Sequence, residues 1–65
     1  MFIGIERNNG TKLMCRTEDI KMVFTENTSR DFFCHWILFK DDNQKTIKLS
    51  PEEFYDKYKD ELNNE

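Results

Sequence analysis

One run of the sequence, Phe32 to Lys40, reads FFCHWILFK and is apolar at both of its alternating sets of positions. A strand that covers a core with one face normally alternates apolar and polar residues, because successive side chains point to opposite faces. This run therefore predicts a strand with two apolar faces, and both faces need cover. In a chain of 65 residues, few other elements are available to provide it.

Polar clusters and turn residues divide the rest of the first forty-nine residues into short runs that favour strands. The chain is 35% charged and 14% aromatic, which favours a folded domain over a disordered segment. We predict five strands, at roughly Phe2 to Arg7, Thr11 to Arg16, Ile20 to Glu26, Phe32 to Lys40 and Lys45 to Leu49.

The register of each hairpin can be predicted, because paired residues must lie on the same face of the sheet. Three loops give matching apolar pairs: a three-residue loop at Asn8 to Gly10, a five-residue loop from Asn27 to Asp31, and a turn around Asp41 to Gln44. The predicted pairs are Ile5 with Leu13, Ile3 with Cys15, Glu6 with Lys12, Phe24 with Cys34, Met22 with Trp36, Ile20 with Leu38, Leu38 with Ile47, and Trp36 with Leu49.

A helix is predicted at the C-terminal end. Ser50 is a good N-cap, Pro51 suits the first helical position, and Glu53 completes a capping box. The following apolar residues recur at helical spacing and form one stripe: Phe54, Tyr58 and Leu62, with Tyr55 beside them. We therefore predict an α+β fold in a single domain over 1–65, with strands at about 2–49 and one C-terminal helix at about 51–63. The strands form either a five-stranded antiparallel meander or a partly closed small β-barrel.

These registers also predict which face of the sheet is buried. The expected core comprises Ile3, Ile5, Leu13, Cys15, Ile20, Met22, Phe24, Phe32, Cys34, Trp36, Leu38, Ile47 and Leu49. The opposite face then carries Phe33, His35, Ile37 and Phe39, with Phe2, Met14 and Val23 on neighbouring strands. One helix cannot cover both faces, so either the sheet curls into a barrel or another chain covers the second face. Because chains of this size usually need extra burial, we expect a homodimer.

Catalytic and metal-binding patterns are weak. Cys34 and His35 are neighbours on a predicted strand and point to opposite faces, so they cannot converge on one ion or form a catalytic pair. A zinc site usually needs four ligands, whereas the chain has one His and two Cys. We expect no enzyme activity, no metal and no cofactor.

The formal net charge of −3 argues against direct nucleic-acid binding, which relies on clustered Lys and Arg. The sequence shows no signal-peptide pattern and no apolar run of membrane-spanning length, so we expect a cytoplasmic location, in the host cytoplasm if the chain is phage-encoded. Arg30 is a candidate for contact with an anionic group. The candidate interface or binding residues are Phe33, His35, Ile37, Phe39, Arg30, Val23 and Met14.

The layout IERNNGTKLMC…EDIKMVF…TIKLSPEEFYDKY resembles that of the small flagellar FlbD-type proteins. In both, an Asn-Gly turn joins two short strands, and a later hairpin leads into a helix that begins Ser-x-Glu-Glu. The matching positions are Asn9, Gly10, Ile20, Ile47, Ser50, Glu52 and Glu53. The resemblance implies a similar strand-rich fold and a flagellar regulatory role.

By type, very small acidic, aromatic-rich chains without catalytic residues resemble phage products that disable host defences. The sequence thus favours a non-catalytic protein that acts by stoichiometric binding, as a phage-type inhibitor of a host or defence factor. Two alternatives stay open. One is a sponge that binds a nucleotide signal between subunits, and the other is a flagellar FlbD-like regulator.

Overall fold

The computed structural model describes residues 1–29 and 32–63, with side-chain positions for all of these except residues 28, 29 and 32. Among these residues the order of elements is β1 (Phe2–Glu6), β2 (Lys12–Arg16), β3 (Ile20–Ser29), β4 (Phe32–Phe39), β5 (Gln44–Ile47), α1 (Pro51–Lys57) and α2 (Lys59–Asn63). A 3₁₀ turn, Thr17–Asp19, connects β2 to β3. The predicted α+β class and C-terminal helix are confirmed.

The strands form two antiparallel sheets, one of β1 and β2 and one of β3, β4 and β5 in that order. This corrects the prediction of one continuous five-stranded meander, and the described residues do not form a closed barrel. The break falls where the 3₁₀ turn redirects the chain between β2 and β3. A backbone hydrogen bond from Lys48 N to the carbonyl of Glu6 (3.0 Å) connects the two sheets, and one from Lys40 N to the carbonyl of Asp19 (2.8 Å) joins the end of β4 to the 3₁₀ turn.

The first hairpin has the predicted register. Ile5 pairs with Leu13 and Ile3 with Cys15, across a loop that ends at Gly10. Gly10 has a φ of +84°, a conformation that glycine adopts without steric cost, and its N–H donates to the carbonyl of Arg7 (3.2 Å). The loop is therefore the three-residue type that the sequence predicts.

The other two hairpins differ from the predicted registers. Phe24 pairs with Trp36 rather than Cys34, a shift of two residues that leaves Met22 and Phe24 on the same face as Cys34, Trp36 and Leu38. In the last hairpin Ile47 pairs with His35 rather than Leu38, a shift of three residues. Because the side-chain period of a strand is two, an odd shift moves Ile47 to the other face of β4.

The turn between β4 and β5 explains that shift. Asp42 has a φ of +71°, and its N–H donates to the carbonyl of Phe39 (3.0 Å). The N–H of Asn43 donates to the carboxylate of Asp41 (3.0 Å), as Thr11 N–H donates to Asn9 in the first hairpin (3.1 Å). Aspartate is one of the few residue types other than glycine that tolerates this conformation. The loop is therefore the short one, Lys40 to Asp42, and not a longer one around Asp41 to Gln44.

The core lies on the face of the three-stranded sheet that was expected to stay open. The buried hydrophobic residues are Ile3, Ile5, Val23, Ile37, Ile47, Phe54 and Tyr58. Leu13, Cys15, Ile20, Phe39, Leu49 and Leu62 pack partly against them. A bulge at Lys21 places Ile20 opposite Phe39 but Met22 opposite Leu38, so Ile20 and Val23 share the core side while Met22 does not. The assignment of Met22, Phe24, Cys34, Trp36 and Leu38 to the core is therefore wrong.

The C-terminal helices hold the two sheets together. Ser50 Oγ accepts a hydrogen bond from Glu53 N (3.3 Å), which confirms the predicted cap. The predicted single helix divides at Tyr58, although Tyr58 N–H still donates to the carbonyl of Phe54 (3.0 Å). Phe54 is fully buried, and Tyr58 and Leu62 continue the predicted apolar stripe into the core.

Candidate functional site

Two of the seven predicted interface residues lie inside the protein. Ile37 is 0% exposed and Val23 is 6% exposed, and both pack in the core of the single chain. Phe39 is partly buried against the same core. The prediction that these three side chains form an open face is corrected, because the odd register shift of β5 brings Ile47 onto their side of the sheet.

The other predicted interface residues are more accessible but do not lie together. Phe33 is 59% exposed on the part of β4 beyond the core, and Met14 is 64% exposed on the two-stranded sheet. His35 is half-buried, and its Nδ1 lies 3.0 Å from the hydroxyl of Thr25, its cross-strand partner. Arg30 lies outside the described residues.

The open apolar surface is instead the opposite side of the three-stranded sheet. We call it the outer sheet face, and it consists of Met22, Phe24, Cys34, Trp36 and Leu38. Met22 is 42% exposed, and the other four residues are half-buried. Phe24 and Trp36 are directly paired, as are Met22 and Leu38, so the apolar side chains form a continuous patch across β3 and β4.

Polar side chains border the outer sheet face. Glu26 is paired with Cys34 at one end of the patch, and Gln44 is paired with Leu38 at the other. Thr46 lies opposite Trp36 on β5. An apolar centre with a polar border is the arrangement found in surfaces that bind other proteins.

Trp36 lies in the middle of this patch and has an unsatisfied polar atom. Its indole Nε1 is shielded from solvent and has no hydrogen-bond partner among the described residues. A buried N–H without a partner costs about 1–3 kcal/mol. Trp is also the residue type that contributes most often to the energetic centre of an interface, which marks Trp36 as the central residue of the outer sheet face.

The cysteine and histidine side chains considered in the sequence analysis lie apart from one another in the fold. Cys34 and His35 lie on opposite faces of β4, as the sequence predicts. Among residues 1–29 and 32–63, no cluster of three or more His, Cys, Asp or Glu side chains could hold a metal ion. Burial raises the pKa of the Cys15 thiol, and the nearby Asp19 carboxylate adds to this effect, so Cys15 stays protonated and is a poor nucleophile at neutral pH.

Glu18 lies at the centre of a cluster of hydrogen bonds and ion pairs near the N-terminus. Its carboxylate accepts hydrogen bonds from the Met1 ammonium group and from the Thr17 hydroxyl (3.0 Å), and it pairs with Arg16 (3.1 Å). The ammonium hydrogen bond contributes most to lowering the pKa of Glu18, to about 2. The cluster fixes the start of β1 against the 3₁₀ turn and thereby has a structural role.

Comparisons with known proteins add no family assignment. The sequence matches no protein-family model, and no curated protein or solved structure is significantly similar to it. In the described residues, neither helix has the length or the apolar character needed to cross a membrane. The flagellar resemblance and the phage-type role therefore stay predictions.

A signal in the sequence could have located the outer sheet face. The segments Asn8-Asn9-Gly10-Thr11 and Lys40-Asp41-Asp42-Asn43 have the same layout, with an Asn or Asp second and a residue tolerant of positive φ third. Treating both as three-residue loops gives the observed register of β5. That register places Ile47 on the same face of the sheet as Ile37, and it leaves Trp36 and Leu38 on the opposite face.

Proposed function

We propose that this chain is a non-catalytic binding protein that acts stoichiometrically, as a phage-type inhibitor of a host or defence factor. One observation carries the proposal: the outer sheet face is apolar and continuous, and its side chains lie outside the core that the described residues form. A patch of this kind on a small protein is typical of an interaction site. A second copy of the chain is the first partner proposed for this patch, and its binding would form a homodimer.

The thin core of the chain supports dimerisation. Only seven hydrophobic residues are buried among those described, which is a small core. Single cores in chains of this size rarely supply more than about 3–5 kcal/mol, and association is a common source of the rest. A dimer with twofold symmetry would place Trp36 of each copy near the centre of a self-complementary interface.

The dimer can be tested by light scattering over a range of micromolar concentrations. The wild-type chain is expected to have about twice the mass of the 7.9 kDa protomer. Met22→Asp places a charge in the outer sheet face and should give monomers. Met14→Asp is the control, because Met14 is a still more exposed methionine on the other sheet, and this variant should stay dimeric. A wild-type monomer throughout, or equal effects of both substitutions, would contradict the proposal.

The inhibitor role is supported by small size, net negative charge and the lack of a visible catalytic set, which together are typical of stoichiometric antagonists. We would express the wild-type chain and Met22→Asp in bacterial strains that each carry one defence system, and measure phage growth. Restored phage growth in one strain, rising with the amount of protein and lost in the variant, is expected. Full protection in every strain despite abundant folded protein would count against the inhibitor role.

A further inference from the structure

A second candidate site is a cleft that shares no residue with the outer sheet face. Its volume is about 590 Å³, and small-molecule sites in proteins usually enclose about 300–1,000 Å³. The walls come from the start of β1, the end of β2, the 3₁₀ turn and the turn after β4. The side chains used below are those of Phe2, Met14, Phe39, Arg16, Asp19 and Lys40.

The backbone around the cleft is held in place on both sides. Lys40 N–H donates to the carbonyl of Asp19 (2.8 Å), and Thr17 N–H donates to the carbonyl of Met1 (2.8 Å). Ile20 pairs with Phe39 next to the first of these bonds. The cleft is therefore formed within one chain, by segments that hydrogen bonds fix relative to each other.

Two large apolar side chains at the cleft are unusually exposed. Phe2 is 69% exposed and Met14 is 64% exposed, although both adjoin a concave surface. Met14 pairs with Gly4, and its sulfur lies only 3.0 Å from the position that a Cβ on Gly4 would occupy. The Met14 side chain therefore lies over β1, on the same face of the two-stranded sheet as Phe2. Phe39 adds a partly buried aromatic ring. Such a wall is suited to the face of a planar ring.

The charges at the cleft differ in how much hydrogen-bonding capacity they have left. Arg16 is already bonded to Glu18, and Asp41 accepts two hydrogen bonds from Asn43. The side chains of Lys40 and Asp19, in contrast, make no hydrogen bond or ion pair with the described residues. The cleft thus offers one uncommitted ammonium group and one uncommitted carboxylate beside an apolar wall.

We propose that this cleft binds a purine nucleotide, with guanine preferred. The ring would stack on Phe2 and Met14, the Lys40 ammonium would hold the phosphate, and the Asp19 carboxylate would accept hydrogen bonds from the base. Guanine is preferred because its two adjacent N–H groups match the two oxygens of a carboxylate, which is an acceptor only. The ligand fits a single chain, unlike a sponge that binds between subunits, and this site goes beyond the proposed function.

Calorimetric titration of the full chain with GMP, up to millimolar concentration, tests the site. One GMP is expected to bind per chain, with weaker binding of AMP, of guanosine and of ribose 5-phosphate. Phe2→Ala and Lys40→Ala should each weaken GMP binding by about tenfold or more. Asp19→Asn should weaken binding of GMP and guanosine while leaving that of ribose 5-phosphate unchanged.

Phe33→Ala and Lys45→Ala are matched controls, since they remove an exposed phenylalanine and an exposed lysine outside the cleft, and they should bind GMP like the wild type. Absence of binding by every probe would overturn the proposal. Equal binding of inorganic phosphate and GMP would overturn it as well, because only charge would then be recognised. Neither result bears on dimerisation, since the proposed dimer uses the outer sheet face, which has no residue in common with the cleft.

Discussion

Tyr58 donates a hydrogen bond of 2.7 Å from its hydroxyl to the carbonyl oxygen of Gly4, 54 positions earlier in the chain. The bond joins the C-terminal helices to the free edge of β1. Two positions further along that edge, Glu6 accepts a hydrogen bond from the backbone of Lys48. Two carbonyl groups on this edge are therefore satisfied within the chain, which makes the edge less available for pairing with another strand.

Removing the Tyr58 hydroxyl should cost more stability than removing that of Tyr55. Tyr58 is 7% exposed, so water has little access to take the place of its hydroxyl in Tyr58→Phe, and the expected cost is about 1–3 kcal/mol. Tyr55 accepts a hydrogen bond from Val23 N–H (3.2 Å) but is 44% exposed, so water can replace it in Tyr55→Phe, at a cost of about 0.5–1.5 kcal/mol. Urea unfolding of both variants measures the difference, and the reverse order would contradict this account.

Adjacent residues on β4 should respond very differently to truncation. Ile37 is fully buried, so Ile37→Ala should lower the free energy of unfolding by about 2–5 kcal/mol. Leu38 lies on the outer sheet face, so Leu38→Ala should cost only about 1 kcal/mol in the monomer. The measurement is urea unfolding at a concentration where light scattering shows monomers. A larger loss of stability for Leu38→Ala than for Ile37→Ala would mean that Leu38 lies in the core, as the sequence analysis predicts.

The two glycines should differ in their tolerance of alanine. Gly10 has a positive φ, so Gly10→Ala should destabilise the chain by about 1 kcal/mol, even though nothing lies within 4 Å of the added Cβ. In Gly4→Ala the new Cβ meets the sulfur of Met14 at 3.0 Å. That side chain is flexible and 64% exposed, so it can move, and the variant should be within about 0.5 kcal/mol of the wild type. Thermal unfolding of both variants would show whether backbone conformation or crowding decides the outcome.

The stability of the chain should fall in acid as Glu18 becomes protonated. The pKa of this carboxyl is lowered from 4.5 to about 2 in the folded state, so its stabilising contribution is present above pH 4.5 and is lost as the pH falls to about 2. Glu18→Gln should flatten the pH dependence over this range and should leave it unchanged above. Because the carboxylate is partly exposed, added salt should reduce the difference between the two chains.

The pKa itself can be measured by following the Glu18 side-chain carboxyl by NMR during an acid titration. A midpoint near that of an ordinary glutamate would mean that the contact with the Met1 ammonium group does not persist in solution.

Much of the local structure was predictable from the sequence because it depends on neighbours along the chain. The first hairpin follows from Gly10 and the matching of Ile3 and Ile5 to their partners, and the start of α1 follows from Ser50 and Pro51. The partition of β4 and of most of β3 into two sets of side chains was also correct, because a register error of two residues preserves it, but the bulge at Lys21 moves Ile20 to the other set.

The position of the core was not predictable in the same way, because β4 is apolar on both faces and its periodicity cannot indicate which one is buried. Which face of the sheet is buried depends on the turn at Asp42 and on the bulge at Lys21, which are single-residue features with weak sequence signals. The positions of both candidate sites follow from which face is buried and from how the two sheets are arranged. The outer sheet face is the side left uncovered, and the cleft forms where the two sheets separate.

The sequence by itself thus determined the elements, the turns and the helix cap, since each is set by local conformational preferences of a few residues. Only the tertiary structure decided that the face of β4 carrying Ile37 is buried in the core and that the face carrying Trp36 is not. Burial of a strand face depends on where β5 and the C-terminal helices lie, and an odd shift of one hairpin is enough to exchange the buried face with the open one.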